Sequence, residues 1–356
     1  MKKYLISGIG PGLSGVGRLM TQLVPEYQAK GYYTIIRRTS QSTRQLIERK
    51  KYISVAREIF LRRLDDLFFG VRCLTVLNSE VVFLHPQTTG YCLFLYLTCF
   101  NSLSLYVMDN SFFCIRSYNT HPLTGNECLE CLGEISPHQL CSPFPVSIPK
   151  VINIFYLKVF NKVSSKLRFL AQNNFQAKLL TSHFGENISI SVVGMNAESD
   201  ELLRDPPARI EGRSDHVIRY DVVFHGASHV AKGLLYVLEI AELMPEFSFL
   251  IPDKFSNVIR IANASPSANI CCEKMSWETG LRDAVASARL VINPSMWSAP
   301  IEGALVKSAK FNKNVATVES KYGYEAEIET IANHLRLPRD PVLASAILRA
   351  FLAETC

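Results

Sequence analysis

The sequence predicts an α/β protein of two doubly wound, Rossmann-like domains, and three observations predict it. Short apolar runs alternate with amphipathic stretches along both halves of the chain, the pattern of strand and crossover helix. At 356 residues the chain exceeds what a single core ordinarily serves. A polar, charged stretch from Ala197 to Tyr220, holding Pro206 and Pro207, separates the alternating halves. Domains are therefore expected at 1–198, with a Cys-containing insertion over 110–148, and at 221–338. A linker at 199–220 joins them, and a C-terminal helix at 339–356 follows.

Lys2 to Ser7 forms an apolar strand that runs into Gly8-Ile-Gly-Pro-Gly-Leu-Ser-Gly-Val-Gly-Arg18 and then an amphipathic helix, Leu19 to Lys30. Glycines before a helix let backbone amides approach an anion at its positive end. Gly10, Gly12 and Gly15 also satisfy the dinucleotide fingerprint formally, and a tight, close-packed turn is the other reading of them. Gly31 ends the helix, and the strand Tyr32–Ile36 delivers Arg37-Arg38, a pair that suits the 2′-phosphate of NADP.

Arg44 to Phe69 is a basic amphipathic helix, and Lys150 to Leu170 is a second. Each fits either an anionic membrane surface or an ordinary helix with a solvated face. The strand Val81–Leu84 delivers His85 and the strand Leu103–Val107 delivers Asp109. In a parallel sheet both lie at ligand-binding strand ends, near a common ligand. The most apolar window, Thr88 to Val107, has Asn101 and Ser102 at its middle and reads as helix plus strand rather than a membrane span. Cys128-Leu-Glu-Cys131 has the spacing of two zinc thiolates, which Cys114 with Cys141, or His121 with His138, would complete. The other reading is free cysteines packed in a loop. Helix Phe175–Phe184 and strand Ile188–Val193 close the first half.

Strand Asp221–Phe224 opens the second half and leads through His225-Gly226 to Lys232-Gly233 and a helix, Leu234 to Leu243. A lysine entering a helix N-terminus after a strand is a sound phosphate ligand. Phe247–Ile251 and Ala268–Cys272 are strands, and Trp277–Ser287 is a helix. Strand Leu290–Ile292 then leads through Pro294-Ser295 and Pro300 to a helix from Ile301 and a strand, Val315–Val318. Two helices are expected after Tyr324, the last from Pro341 to Ala353.

The formal charge of +6, from 38 basic and 32 acidic residues, permits a phosphorylated ligand or an anionic membrane and does not call for nucleic acid. Gly8, Gly10 and Gly12 interrupt any signal-peptide core, so a cytoplasmic protein is expected. Its ten cysteines are then thiols or metal ligands rather than a disulfide framework.

Pro294-Ser295-Met-Trp297-Ser-Ala-Pro300, followed by a helix rich in small residues and a Val-Ala-Thr strand, resembles the donor-sugar loop of family 4 glycosyltransferases, which have the GT-B fold. Gly226, Lys232 and Gly233 match that family's diphosphate clamp in spacing, and Ser14-Gly15-Val16-Gly17-Arg18 resembles its first-domain glycine loop. Asp109, Phe112-Phe113, Thr124-Gly125 and Cys128 follow a further family run. The resemblance implies two domains facing across a cleft, a terminal helix at 339–356 that packs back on the first domain, and retaining transfer from a nucleotide-diphosphate sugar to a glycan or lipid-linked acceptor, with no metal for chemistry. It implies donor binding by Gly15, Gly17, Gly226, Lys232, Ser295 and Lys307, with catalysis at Asp109, His85 and Glu302. The chain departs from the pattern at Ala227, where the family has arginine, and at Lys307, where it has the ribose-binding glutamate. Glu302 stands at a usual glycine. Either the donor is held differently or the protein binds a glycan or partner without turnover.

Overall fold

The computed structural model describes residues 1–12, 15–38, 43–48, 50–146, 148–194, 220–326 and 332–354. The linker expected at 199–220 lies outside them except for Tyr220. The described chain divides into two compact units. Met1–Ser117, Glu130–Pro137 and Cys141–Gly194 form the first, and Tyr118–Leu129, His138–Leu140 and the described part of Met195–Cys356 form the second.

In the first unit β1 (Lys3–Ser7), β2 (Tyr33–Ile36), β3 (Glu80–Leu84), β4 (Ser102–Tyr106), β5 (Leu167–Ala171) and β6 (Ser189–Val192) pair in parallel, in the order β2-β1-β3-β4-β5-β6. Val81 to Leu84 is apolar at every position because β3 is covered on both faces, as parallel sheets are. The connecting helices are α1 (Gly15–Ala29), α2 (Thr43–Glu48), α3 (Tyr52–Leu74), α4 (Pro86–Thr89), α5 (Tyr91–Phe100), α6 (Lys150–Val163) and α7 (Asn174–Phe184). Right-handed crossovers put α1 on one face, and α3, α5 and α6 on the other once strand order reverses at β1. Phe94 of α5 lies between Phe83 and Phe160, with ring centroids 5.2 and 5.0 Å away.

In the second unit β7 (Val222–Phe224), β8 (Phe249–Ile251), β9 (Ile270–Cys272), β10 (Leu290–Asn293), β11 (Asn314–Val318) and β12 (Asn333–Leu337) are again parallel, in the order β12-β11-β10-β7-β8-β9. Helices α8 (Leu234–Leu243), α9 (Phe255–Ala262), α10 (Leu281–Ser287), α11 (Gly303–Phe311) and α12 (Pro341–Glu354) surround this sheet. The side chain of Asn269 donates to the carbonyls of Ala241, Met244 and Phe247, closing the C-terminal end of α8.

Three expectations are corrected. The second basic helix ends at Val163, and the apolar residues after Lys166 form strand β5, between β4 and β6. After Tyr324 one of the two expected helices is a strand: β12 pairs along β11, with Leu335 and Leu337 spaced by two. Helix α12 places Ala344, Leu348 and Leu352 in the core of the second unit beside Leu234 and Val237. The insertion is divided, since 118–129 and 138–140 pack with the second unit.

Thr88 to Val107 resolves into the end of α4, all of α5, and β4, and no helix among the described residues is long and apolar enough to cross a membrane. Phe94 is wholly buried. Phe94→Ala is expected to destabilise the protein by about 3–5 kcal/mol through lost transfer energy and a residual cavity. Urea unfolding followed by far-UV circular dichroism measures it.

Candidate active site

Ligands of parallel α/β sheets bind where neighbouring strands send their connections to opposite sides, beyond the carboxyl ends. In the second sheet that point lies between β7 and β10, since β7 is flanked by β8 and β10. The loop after β7 carries His225 and Gly226, then a 3₁₀ turn, Val230–Lys232, and Gly233 at the start of α8. The loop after β10 carries Ser295, Trp297 and Glu302 into α11.

The two loops are joined directly. The Met296 amide donates to the Ala231 carbonyl at 2.9 Å. Gly233 has a φ of 79°, and a Cβ there would run into the carbonyl oxygen and ring of Pro294, so glycine is required on both counts. Across this junction Lys232 Nζ lies 2.6 Å from Glu302 Oε1, and the Ser295 hydroxyl donates to the same oxygen. Glu302 is the N-cap residue of α11, yet its side chain accepts no hydrogen bond from that helix. The Lys232 ammonium also lies 5.0 Å from the Trp297 ring centroid and 6.0 Å from that of Tyr118, a cation–π arrangement. Trp297 is 4% exposed, and its indole N–H has no partner among the described residues.

Tyr118 comes from the segment 118–129, which packs with the second unit. Its ring meets Trp297 edge-on at 4.6 Å and His229 at 5.4 Å. The Asn119 amide donates to Ser298 Oγ at 2.9 Å and accepts from the Ser298 amide at 3.1 Å. Glu127 accepts from the hydroxyls of Ser298 and Ser320, from the Lys321 amide, and from Arg339 at 3.3 Å. One carboxylate thus ties the β10 loop to the ends of β11 and β12.

Nearby, Glu325 accepts from the Ser320 amide at 2.9 Å. Burial, reinforced by the charges of Glu302 and Glu127, pushes its carboxyl up to about 8. Beneath the β7 loop Lys307 is buried, its ammonium 4.9 Å from the Trp277 ring centroid. His225 stacks on Trp277 at 5.4 Å and hydrogen-bonds Ser308 at 2.8 Å through Nδ1. Burial first, and the Lys307 charge second, hold the His225 imidazole down to about 3, so it stays neutral at physiological pH.

In the first unit the corresponding point lies between β1 and β3. Gly15 opens α1, and the Gly12 amide donates to the Gly17 carbonyl at 3.0 Å. A Cβ on Gly17 would meet Gly12 at 2.9 Å, so these two glycines pack directly against each other. His85, at the end of β3, takes a φ of 56°. Its Nε2 lies 3.4 Å from Asp109 Oδ2, and its Nδ1 is 3.0 Å from the Thr88 hydroxyl. Burial would raise the Asp109 carboxyl, but the hydrogen bond and charge of His85, with the Ser111 N–H, outweigh it and hold it below the ordinary range. The space beside this pair is about 10 Å³, room for roughly one water rather than a sugar ring.

His85 and Asp109 therefore meet, as do Gly226, Lys232, Ser295 and Glu302. Lys307 sits apart from them, against the His225–Trp277 stack. Cys114, Cys131 and Cys141 belong to the first unit and Cys128 to the second. All four are thiols, and within neither unit do three metal-ligating side chains gather among the described residues. Arg37 and Arg38, the pair suited to NADP, engage Asp66 at 2.9 Å and Glu58 at 3.3 Å. Sequence reasoning missed Tyr118, Asn119, Glu127 and Glu325. Glu127 stands inside the Thr-Gly-Asn-Glu-Cys run, beside a cysteine that drew the metal reading.

No family model and no curated protein sequence matches the chain. Solved structures do. Sucrose-phosphate synthase from Thermosynechococcus elongatus superposes with a TM-score of 0.60 at 10% identity, covering 100% of this chain and 90% of that one. HepE of Anabaena, solved in complex with UDP, gives 0.55 at 13% identity over 100% and 91%. An α,α-trehalose-phosphate synthase (UDP-forming) from Burkholderia xenovorans, in complex with glucose-6-phosphate, gives 0.53 at 10% over 100% and 92%. The protein has the two-domain α/β fold of GT-B glycosyltransferases.

Glu325 is protonated in the folded protein and ionised in the unfolded chain between about pH 4.3 and its raised value, so stability falls as pH rises across that interval. Glu325→Gln keeps the acceptor for Ser320 and removes the titration. Its Tm is expected to match wild type near pH 4 and to exceed it at pH 8, as read by differential scanning calorimetry.

Proposed function

We propose that the protein is a glycosyltransferase that moves a sugar, with retention, from a nucleoside-diphosphate sugar to a hydroxyl of a glycan or lipid-linked acceptor. The observation that carries this reading is the junction of the β7 and β10 loops at the switch point of the second sheet. There Lys232, Ser295 and the start of α8 converge under Trp297. A diphosphate leaving group needs positive charge placed before bond cleavage, and a lysine at a helix start supplies it without reorganisation. Donor diphosphate would take the place of Glu302 on Lys232, releasing that carboxylate and Ser295 toward the sugar hydroxyls. Gly226 leaves backbone room for the phosphates beside Lys232. Gly15 and Gly17 are proposed to receive the sugar in the first unit, where Asp109, held ionised by His85, would orient an acceptor hydroxyl. The structures in complex with UDP and with glucose-6-phosphate support a nucleotide donor and a sugar acceptor.

A second reading, a GT-B protein that binds a glycan or partner without turnover, is favoured by one observation. Lys232 is already paired with Glu302, and a lysine stands at 307 where the resembled family has its ribose-binding glutamate.

A thermal-shift panel of nucleoside diphosphates and nucleotide sugars separates the two, since selective binding raises Tm. The transferase reading expects a shift with a nucleoside diphosphate, slow hydrolysis of its sugar, and loss of both by at least about tenfold in Lys232→Ala, as removal of a charge-assisted contact predicts. Absence of any shift and any hydrolysis across the panel favours the binding protein.

A further inference from the structure

We propose that the outer face of α3, together with the start of α6, is a docking surface for an anionic lipid bilayer. Helix α3 turns Phe69 and Cys73 to the core, yet a second apolar row runs along its outside. Ile53 is 88% exposed, Phe60 63% and Leu67 61%, and Val71 and Leu74 continue the row at helical spacing. An apolar row of that length in water marks an interaction surface. At the start of α6, Val151, Ile152 and Phe155 are likewise exposed, beside Lys158. The two helices belong to one layer, since α3 packs on α5 and α5 on α6.

Charge selects the occupant. Lys51, Arg57, Arg63 and Arg72 stand exposed along α3. The helix's carboxylates are engaged on its inner side: Glu58 pairs with Arg38 and Arg62, Asp66 pairs with Arg37, and Asp65 accepts from the Arg38 amide. The charge presented outward is therefore basic and borders apolar side chains, the composition of a helix lying in the headgroup boundary of an anionic membrane. A second copy meeting this face by the same patch would set arginine against arginine. The surface is independent of the transferase reading.

Flotation of the full-length protein with vesicles of phosphatidylcholine, with and without phosphatidylglycerol, tests it. Wild type is expected to float with the phosphatidylglycerol vesicles at low salt and to be released as salt rises. Ile53→Glu/Phe60→Glu/Leu67→Glu and, separately, Arg57→Glu/Arg63→Glu are each expected to lower the partition coefficient by roughly tenfold or more. These side chains are exposed, so circular dichroism should be unchanged. Phe155→Glu, on a different helix, should lower partitioning in the same direction. The proposal is overturned if wild type stays unbound at low salt, if the variants float like wild type, or if sedimentation shows a dimer that the triple variant converts to monomer.

Discussion

A lysine and a glutamate meeting beneath an indole ring hold together the carboxyl ends of two strands that the chain reaches some seventy residues apart, as the Lys232–Glu302 separation records. Around this pair the second unit is arranged. Gly233 lets the β7 loop close onto Pro294, and the Met296–Ala231 hydrogen bond locks the closure. Glu127 then fixes the far side of the β10 loop to the ends of β11 and β12. Removing one partner of so enclosed an ion pair is costly, because the other charge is left buried and unpaired.

The same neighbourhood keeps two of its buried ionisable groups neutral. Glu325 is lifted and His225 lowered, each chiefly by burial, so neither carries charge at neutral pH although both lie near charged partners. The formal charge of the region is thereby concentrated on Lys232, Glu302, Lys307, Glu127 and Arg339. In the first unit the arrangement is the reverse, with His85 keeping Asp109 ionised in a nearly closed space.

The strand and helix alternation was readable because the inner strands of both parallel sheets, β3, β7, β8 and β10 among them, are short buried runs that are almost wholly apolar. The approach of Lys232 and Ser295 was readable in the same way, since strand ends at a switch point converge whatever the details of their loops. What failed was of two kinds. Leu167–Ala171 and Asn333–Leu337 follow directly on helical or polar sequence, and a five-residue run carries too little periodicity to tell strand from helix. Tyr118, Asn119 and Glu127 make their contacts across a separation of 179 residues in the case of Asn119 and Ser298, which no local pattern encodes. The pairing of Glu302 with Lys232, rather than with the start of its own helix, was likewise invisible to capping rules.

The placement of residues 118–129 and 138–140 gives the second unit a discontinuous recipe. A gene fragment beginning at the second half would encode its whole sheet and every surrounding helix, yet would omit the partners of Trp297, Ser298 and Arg339. Exchange of this half as a cassette would meet the same obstacle, because its β10 loop is completed by a short passage translated about a hundred residues earlier, as the numbering of Glu127 and Tyr220 shows. The second unit is complete only when that passage is supplied with it.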